Sequence, residues 1–281
     1  MTHADAAPGW LGLAAVRFPY WPIQEFIVSA LEKLEGTVAL VTGASSGIGQ
    51  ATALRLAAEG ASVAIVARRA DRLAQLAQKI REAGGQALPI EADITSAAAA
   101  QDAVDRTVAG FGRLDTLVNA AGVMLNGPSI ESPLEEWDQM VDLNIRGLMY
   151  MTKAALPHLT ESVKTSPRRV ADVVNISSVA GRMAAGQVAI YSATKFAVNA
   201  ATEAWRQEFT QQSLRFSLVE PGATATELFE QKPGSWEGFT ARFGEVERLH
   251  AEDIAGAVAF IVTNPRRVAI NEILVRPTDQ A

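Results

Sequence analysis

The chain contains no cysteine, three histidines and three tyrosines, and aromatic residues make up only 6% of it. Without cysteine there can be no disulfide, no thiolate nucleophile and no cysteine-based zinc site. His3, His158 and His250 are too far apart in sequence to match a metal-ligand spacing, so no metal is expected. No basic block is long enough to track phosphates. Arg168-Arg169 and Arg266-Arg267 are isolated pairs that read as solvated loop charges in a chain of net charge -6. Nucleic acid is therefore not an expected partner. No membrane span is expected either: residues 10–16 are apolar but too short, and no basic segment precedes them as in a secretory signal. A cytoplasmic protein fits the missing cysteine.

What is present divides into a short part and a long one. Residues 1–35 form an N-terminal extension with apolar residues at Ile23, Phe26, Ile27, Ala30, Leu31 and Leu34. That spacing is helical and amphipathic, although Pro19 and Pro22 break the stretch before it. The extension reads as a docking or membrane-surface arm, or as a loosely held tail. A third reading is a start assigned too far upstream, since a GUG start codon at Val28 would be translated as valine. Residues 36–281 form a single expected domain. With 48% hydrophobic and 20% charged residues, the chain can bury a sizeable core.

From Thr37 onward the pattern alternates between short apolar runs and helical periodicity, the signature of a parallel α/β sheet covered on both faces. Strands are expected over residues 38–41, 62–67, 87–90, 116–119, 170–176, 216–219 and 272–275. Helices are expected over 48–59, 70–83, 95–110, 133–159, 188–212 and 251–263. Small residues such as Ala154, Ala155, Ala197, Ala200 and Ala201 would let the helices at 133–159 and 188–212 approach the sheet or another subunit. Residues 223–249 alone lack periodicity. They gather Phe229, Trp236, Phe239 and Phe243 among Gly234, Gly238 and Gly244, a concentration of scarce aromatics. Long irregular segments in compact domains are commonly functional, and this one reads as a substrate lid. Its aromatics either close over an apolar or mixed ligand or anchor the loop to the core. Met124, Leu125 and Met183 are candidates for the opposite wall.

A glycine turn follows the first strand, Thr42-Gly43-Ala44-Ser45-Ser46-Gly47-Ile48-Gly49. Gly43, Gly47 and Gly49 permit a tight turn and let backbone N–H groups approach a pyrophosphate at a helix N-terminus. Ser45, Ser46 and Ile48 lie within the same cradle. At the end of the second strand an acidic residue would mark NAD by binding the ribose 2′-hydroxyl. The chain has Ala67, Arg68 and Arg69 instead, which leaves room and cations for a 2′-phosphate and points to NADP(H) over NAD(H). Of the two, Arg69 reads as the one that merely covers the surface. Asp93, followed by Ile94, can accept from an adenine amino group, cap the helix expected from Thr95, or do both. Asn119-Ala120-Ala121-Gly122 ends the fourth strand with small residues that admit a cofactor ring or simply make a tight turn.

Tyr191 and Lys195 lie four apart and so share one helix face. An ammonium beside a phenol favours the phenolate and lowers a pKa that is ordinarily about 10. Ser178, thirteen residues before the tyrosine, can hold a carbonyl oxygen against that acid. Together with the glycine turn, these residues read as hydride transfer between a nicotinamide cofactor and a carbonyl or alcohol.

From about Leu34 onward, the chain resembles the short-chain dehydrogenase/reductase superfamily on its glycine turn, its Asn-x-Ala-Gly segment, Ser178 and Tyr191-x-x-x-Lys195, all in order. Alanine stands at 120 where asparagine is commoner. Within the superfamily it looks most like the clavulanate (clavaldehyde) dehydrogenase type and related serine or 3-hydroxy-acid dehydrogenases. Residues 147–152 and 276–280 carry that narrower likeness. The resemblance implies a single Rossmann-type domain with a seven-stranded sheet, NAD(P) dependence and a homotetramer. It also implies roles. Tyr191 is the general acid in reduction and the base in oxidation. Lys195 lowers its pKa and holds the nicotinamide ribose. Ser178, rather than the neighbouring Ser177, steadies the developing oxyanion. Asn144 holds a water in a proton relay, although an asparagine in a helix can simply bond a backbone carbonyl. Pro221, Gly222 and Thr224 flank the nicotinamide carboxamide. The expected reaction is NADPH-dependent reduction of an aldehyde or ketone on a small to medium secondary metabolite. Oxidation of a hydroxy acid or other alcohol is the alternative. A non-catalytic NADP-binding sensor is the reading from another class.

Overall fold

The computed structural model describes residues 31–280, and seven strands within them run parallel in one sheet. The strands are β1 (Val38–Thr42), β2 (Ser62–Ala67), β3 (Gln86–Glu91), β4 (Thr116–Asn119), β5 (Ala171–Ile176), β6 (Leu214–Pro221) and β7 (Glu272–Val275). Their order across the sheet is β3-β2-β1-β4-β5-β6-β7. Each strand foreseen in the sequence is present: the inner strands β1, β2, β4, β5 and β6 are covered on both faces and largely apolar, whereas the edge strands β3 and β7 are partly exposed. β1 shows the division of labour. Ala39 and Val41 point into one core and Val38 and Leu40 into the other, as a period of two requires.

Three helices cover the first face: α1 (Gly47–Ala58), α2 (Ala70–Glu82) and α8 (Ala251–Thr263). Leu56, Leu76 and Val258 are their fully buried contributions. On the second face α3 (Ala97–Phe111) and α5 (Leu148–Thr165) bury Val104, Met151 and Leu159. Ala154 and Ala155 of α5 belong to that core, so these small residues serve the sheet. Beside them runs α6 (Ala189–Phe209), on which Ala200 is exposed. Strand order reverses between β1 and β4, and a doubly wound sheet opens its cleft at such a point, at the carboxyl ends of the strands.

Three expectations change. The helix expected over residues 133–159 is α4 (Leu134–Val141), a π-helical turn (Asp142–Gly147) and then α5, which continues past Pro157 to Thr165. Residues 223–249 are not irregular throughout. They hold a 3₁₀ turn (Glu227–Glu230) and a short helix, α7 (Ser235–Phe243). None of the residues of α7 is buried, and a helix with no core face leaves no periodicity to read. Arg168 is not a solvated charge. It is buried, donating to the Asn264 carbonyl at 2.7 Å and to Glu32 at 3.2 Å. It shares Asp172 with Arg215, whose Nε and Nη2 reach that carboxylate at 2.7 and 2.9 Å.

Residues 31–35 are tied to this body. The Glu32 N–H donates to the Thr263 carbonyl at 2.7 Å, and Leu34 is buried. The readings made of residues 1–30, including the alternative start at Val28, lie outside the described residues. Among the described residues, no helix is long and apolar enough to cross a membrane.

Candidate active site

The turn after β1 is built for close approach. Gly43 has φ +67°, and a Cβ there would meet the Ala121 backbone at 2.8 Å. A Cβ on Gly49 would lie 2.4 Å from the Gly43 carbonyl oxygen. Only hydrogen fits at either place, so α1 begins hard against the strand end. Thr42 ties the turn to the next segment, its Oγ1 accepting from the Ala120 and Ala121 N–H groups at 3.1 and 3.2 Å. The cradle opens into a cleft of about 1310 Å³ that also reaches Ser178, Tyr191 and Lys195. That volume exceeds what a drug-sized ligand needs and suits a dinucleotide with a second molecule beside it. A pyrophosphate cradle of small residues, cations at its far end and a protic pair at the other fit a nicotinamide dinucleotide.

Most of the residues expected to hold a cofactor line this cleft: Gly43, Ser45, Ser46, Gly47, Ile48 and Gly49 in the turn, and Arg68, Arg69, Asp93 and Ile94 beyond it. Ala120, Gly122, Pro221, Gly222 and Thr224 also contribute to its wall. Asn119 does not. Its amide donates to Thr152 Oγ1 at 3.1 Å and Asn175 Oδ1 at 2.9 Å, bracing β4 against β5 and α5. Asp93 caps no helix. Its carboxylate accepts from the Thr95 N–H and hydroxyl, and α3 starts later with Ser96 as its cap. Arg69 is more than surface cover. It donates to Ser45 Oγ at 2.9 and 3.0 Å, to Ser46 Oγ at 2.8 Å and to Glu227 at 2.9 Å. Arg68 is exposed beside it.

At the other end Ser178 follows β5, while Tyr191 and Lys195 face inward from α6, all three buried. Ser178 Oγ accepts from the Ala180 N–H at 3.1 Å, and its hydroxyl pulls the nearby phenol's pKa down. Burial pulls harder and pushes Tyr191 up to about 12. The expected lowering by lysine is therefore not the dominant effect in the protein alone. Lys195 Nζ donates to the Ile176 carbonyl at 2.9 Å and lies 5.7 Å from the centre of the phenol ring. Burial brings Lys195 down to about 8. Asn144 lies in the π-helical turn, a form often found at functional sites. Its amide accepts from the Val123 N–H at 2.8 Å and donates to the Val123 carbonyl at 2.9 Å and to Thr194 Oγ1 at 3.1 Å. Asn144 thus fastens α6 to the segment after β4.

Sequence reasoning missed the brace behind these groups. Glu220 on β6 is fully buried and accepts from Arg182 Nε at 2.7 Å and Asn199 Nδ2 at 2.8 Å. Asn199 also accepts from the Ser177 hydroxyl at 2.5 Å and donates to the Gly181 carbonyl at 3.2 Å. The loop carrying Ser178 is therefore pinned to both α6 and β6, and Ser177 is committed to that task. A further turn of α6 places Asn199 four residues beyond Lys195, the one signal the sequence offered.

Over the cleft, Trp236 stacks on Phe239 at 5.1 Å, and Phe229 meets both edge-on. Phe229 also packs on the small cluster of Met124, Leu125, Met140 and Tyr191. Met124 and Met183 line the cleft, whereas Leu125 is buried behind the wall, its N–H directed at Met140 Sδ. Two adjacent C-terminal side chains hold the two ends of this segment. Gln280 Oε1 accepts from the Ala223 N–H at 2.8 Å, and Asp279 accepts from the Glu247 N–H at 3.1 Å.

Comparison with known proteins agrees with this geometry. The family model for short chain dehydrogenases matches residues 37–235. An uncharacterised oxidoreductase of Staphylococcus epidermidis is 33% identical over 88% of this chain and 100% of its own length. A metagenomic short-chain oxidoreductase solved with NADP is 32% identical, with a TM-score of 0.73 over 87% of this chain and 98% of that one. A 3-ketoacyl-(acyl-carrier-protein) reductase from Brucella melitensis, solved with NADH, is 30% identical, with a TM-score of 0.77 over 89% of this chain and 100% of its own.

Proposed function

The chain belongs to the short-chain dehydrogenase family of NAD(P)-dependent oxidoreductases, and from that premise we propose that it is an NADPH-dependent reductase of an aldehyde or ketone. The reading is carried by one observation: Ser178, Tyr191 and Lys195 converge, buried, in the cleft that the glycine turn opens. A bound nicotinamide cofactor supplies the hydride. Tyr191 supplies the proton to the carbonyl oxygen. A phenol pushed up to about 12 by burial holds that proton at neutral pH, which supports an acid rather than a base as the working form. Ser178 presents its hydroxyl to the same oxygen, where charge develops and a preorganised donor stabilises it most. Lys195 keeps a cation beneath the phenol, and its ammonium is mostly protonated at neutral pH.

Arg68 and Arg69 support NADPH, since both border the cleft and the end of β2 carries no acid to take up a ribose 2′-hydroxyl. The NADP-bound relative favours this choice and the NADH-bound one opposes it. For the substrate, Met124, Met183, Phe229 and Phe239 offer an apolar wall. The ion pair of Lys232 with Glu136 at 2.5 Å adds a polar edge. A small to medium secondary metabolite of mixed polarity suits that wall, with residues 223–249 as the lid. The family resemblance adds a homotetramer, to which the exposed Met149 on α5 and Phe196 on α6 offer apolar surface, and the missing cysteine adds a reducing cytoplasm.

A panel of carbonyls and alcohols with both reduced and oxidised cofactors, followed by nicotinamide absorbance, tests the direction and the cofactor. A clear preference for NADH would refute the arginine argument. Tyr191→Phe should reduce turnover by about 10²–10⁴-fold while NADPH binding persists. Retained turnover would refute the role of the phenol.

A further inference from the structure

The lid reaches across the cofactor cradle and grips the arginines at its far end. Glu227, in the first turn of the lid, accepts from Arg69 Nη1 at 2.9 Å and from Arg72 Nη1. Arg69 is at the same time hydrogen-bonded to Ser45 and Ser46 of the glycine turn. Thr226, the preceding residue, packs against Gly47, its methyl 3.1 Å from where a Cβ would stand. These contacts join three elements that only a cofactor otherwise needs to join: the pyrophosphate turn, the end of β2 and the lid.

Chemically, the carboxylate occupies donors suited to a phosphate. Arginine N–H groups bind carboxylate and phosphate in the same fork geometry. With Nε and Nη2 directed at serines, Arg69 turns its Nη1 to Glu227, so an incoming phosphate meets an arginine already neutralised. Glu227 and both arginines are about 40% exposed, so the pairs are open to exchange and are not a buried brace. The two arginines hold the Glu227 pKa down to about 2, so it stays a carboxylate through the physiological range.

We propose that Glu227 is a lid-borne specificity residue, whose carboxylate competes with the adenosine 2′-phosphate of the cofactor for Arg69 and Arg72. This rests on the reading that Arg69 faces that phosphate. A phosphate bearing nearly two charges displaces the carboxylate and frees the first turn of the lid. A ribose 2′-hydroxyl is neutral and leaves the grip in place. The lid thereby distinguishes the two cofactors at a distance from the reacting carbon.

Calorimetric titration of the full chain and of Glu227→Gln with adenosine 2′,5′-bisphosphate and with adenosine 5′-monophosphate decides the matter. Losing the competitor should tighten the bisphosphate about five- to tenfold, the scale of one or two exposed pairs, and change the monophosphate by less than about twofold. A wild type indifferent to the 2′-phosphate with a selective variant supports the competition and removes the NADP preference of the native chain. A selective wild type with a variant that binds the bisphosphate no tighter, or more weakly, overturns the competition and leaves the cofactor reading intact. Indifference in both overturns both.

Discussion

Lys195→Met should make the protein more stable while abolishing its proposed chemistry. The lysine is buried, and its pKa falls from an ordinary 10.5 to about 8. That drop, at about 1.4 kcal/mol per pH unit, makes the folded state pay about 3.5 kcal/mol to hold the ammonium at pH 7. Methionine has a similar unbranched length and no charge to desolvate. It gives up the hydrogen bond to the Ile176 carbonyl, a charged bond with a net value of about 1.5 kcal/mol. The balance is a gain of about 2 kcal/mol, or about 4–8 °C in Tm for a chain of this size.

The sign of the pH dependence identifies the cause. A lysine whose folded pKa is depressed binds fewer protons folded than unfolded between about pH 8 and 10.5, so wild-type stability rises with pH across that window. The advantage of the variant should shrink by about 2 kcal/mol between pH 7 and about pH 9.5. Measurements stay below pH 10 because Tyr191, raised to about 12, then works oppositely: folded protein keeps a proton that unfolded chain loses, and stability falls. Urea unfolding of cofactor-free protein at several pH values provides the assay. A variant less stable at pH 7, or more stable by an amount independent of pH, would refute the desolvation argument.

Other perturbations test the scaffold. Gly49→Ala drives a Cβ into the Gly43 carbonyl at 2.4 Å, backbone against backbone. It should abolish measurable cofactor binding and cost at least about 1–3 kcal/mol in unfolding experiments. Asn144→Ala removes three hydrogen bonds and leaves the Val123 N–H and carbonyl unpaired, a loss of about 2–4 kcal/mol by denaturant titration. Gln280→Ala frees the Ala223 N–H at one end of the lid. Hydrogen exchange at residues 223–225 should quicken and KM should rise more than kcat falls. Unchanged exchange would show that this end is held elsewhere.

The sheet was legible because its inner strands are buried on both faces and therefore largely apolar, as β1 and β2 are at nearly every position. The cradle was legible because only glycine satisfies the contacts at 43 and 49. What escaped notice depends on residues distant in sequence. Arg168 looks like a loop charge until Glu32, Asp172 and the Asn264 carbonyl are folded around it. Glu227 is one acid among 31 acidic residues until Arg69 and Arg72 meet it from 158 and 155 residues away. Asn119 lies in a recognisable segment, yet the pleat turns its side chain into the sheet. A motif gives a residue's place along the strand, and alternation decides which way it points.

The same distinction explains why the phenol departs from expectation. Spacing placed an ammonium beneath Tyr191, and spacing was right. A unit charge 5.7 Å from the ring centre, at an effective dielectric of about 20, favours the phenolate by about 3 kcal/mol. Removing the phenolate from water prevails, and the net rise from 10 to about 12 corresponds to about 3 kcal/mol in favour of the neutral phenol. Desolvation outweighs the help the phenolate receives, and the phenol is therefore sensitive to anything that shifts Nζ or admits water. Lys195 Nζ is held on the Ile176 carbonyl, on the far side of that balance. Moving that single donor from the carbonyl toward the phenol oxygen would lower the tyrosine's pKa by units without any change in fold. The acid strength of the site therefore lies in the position of one ammonium, which neither the four-residue spacing nor the burial of the helix fixes.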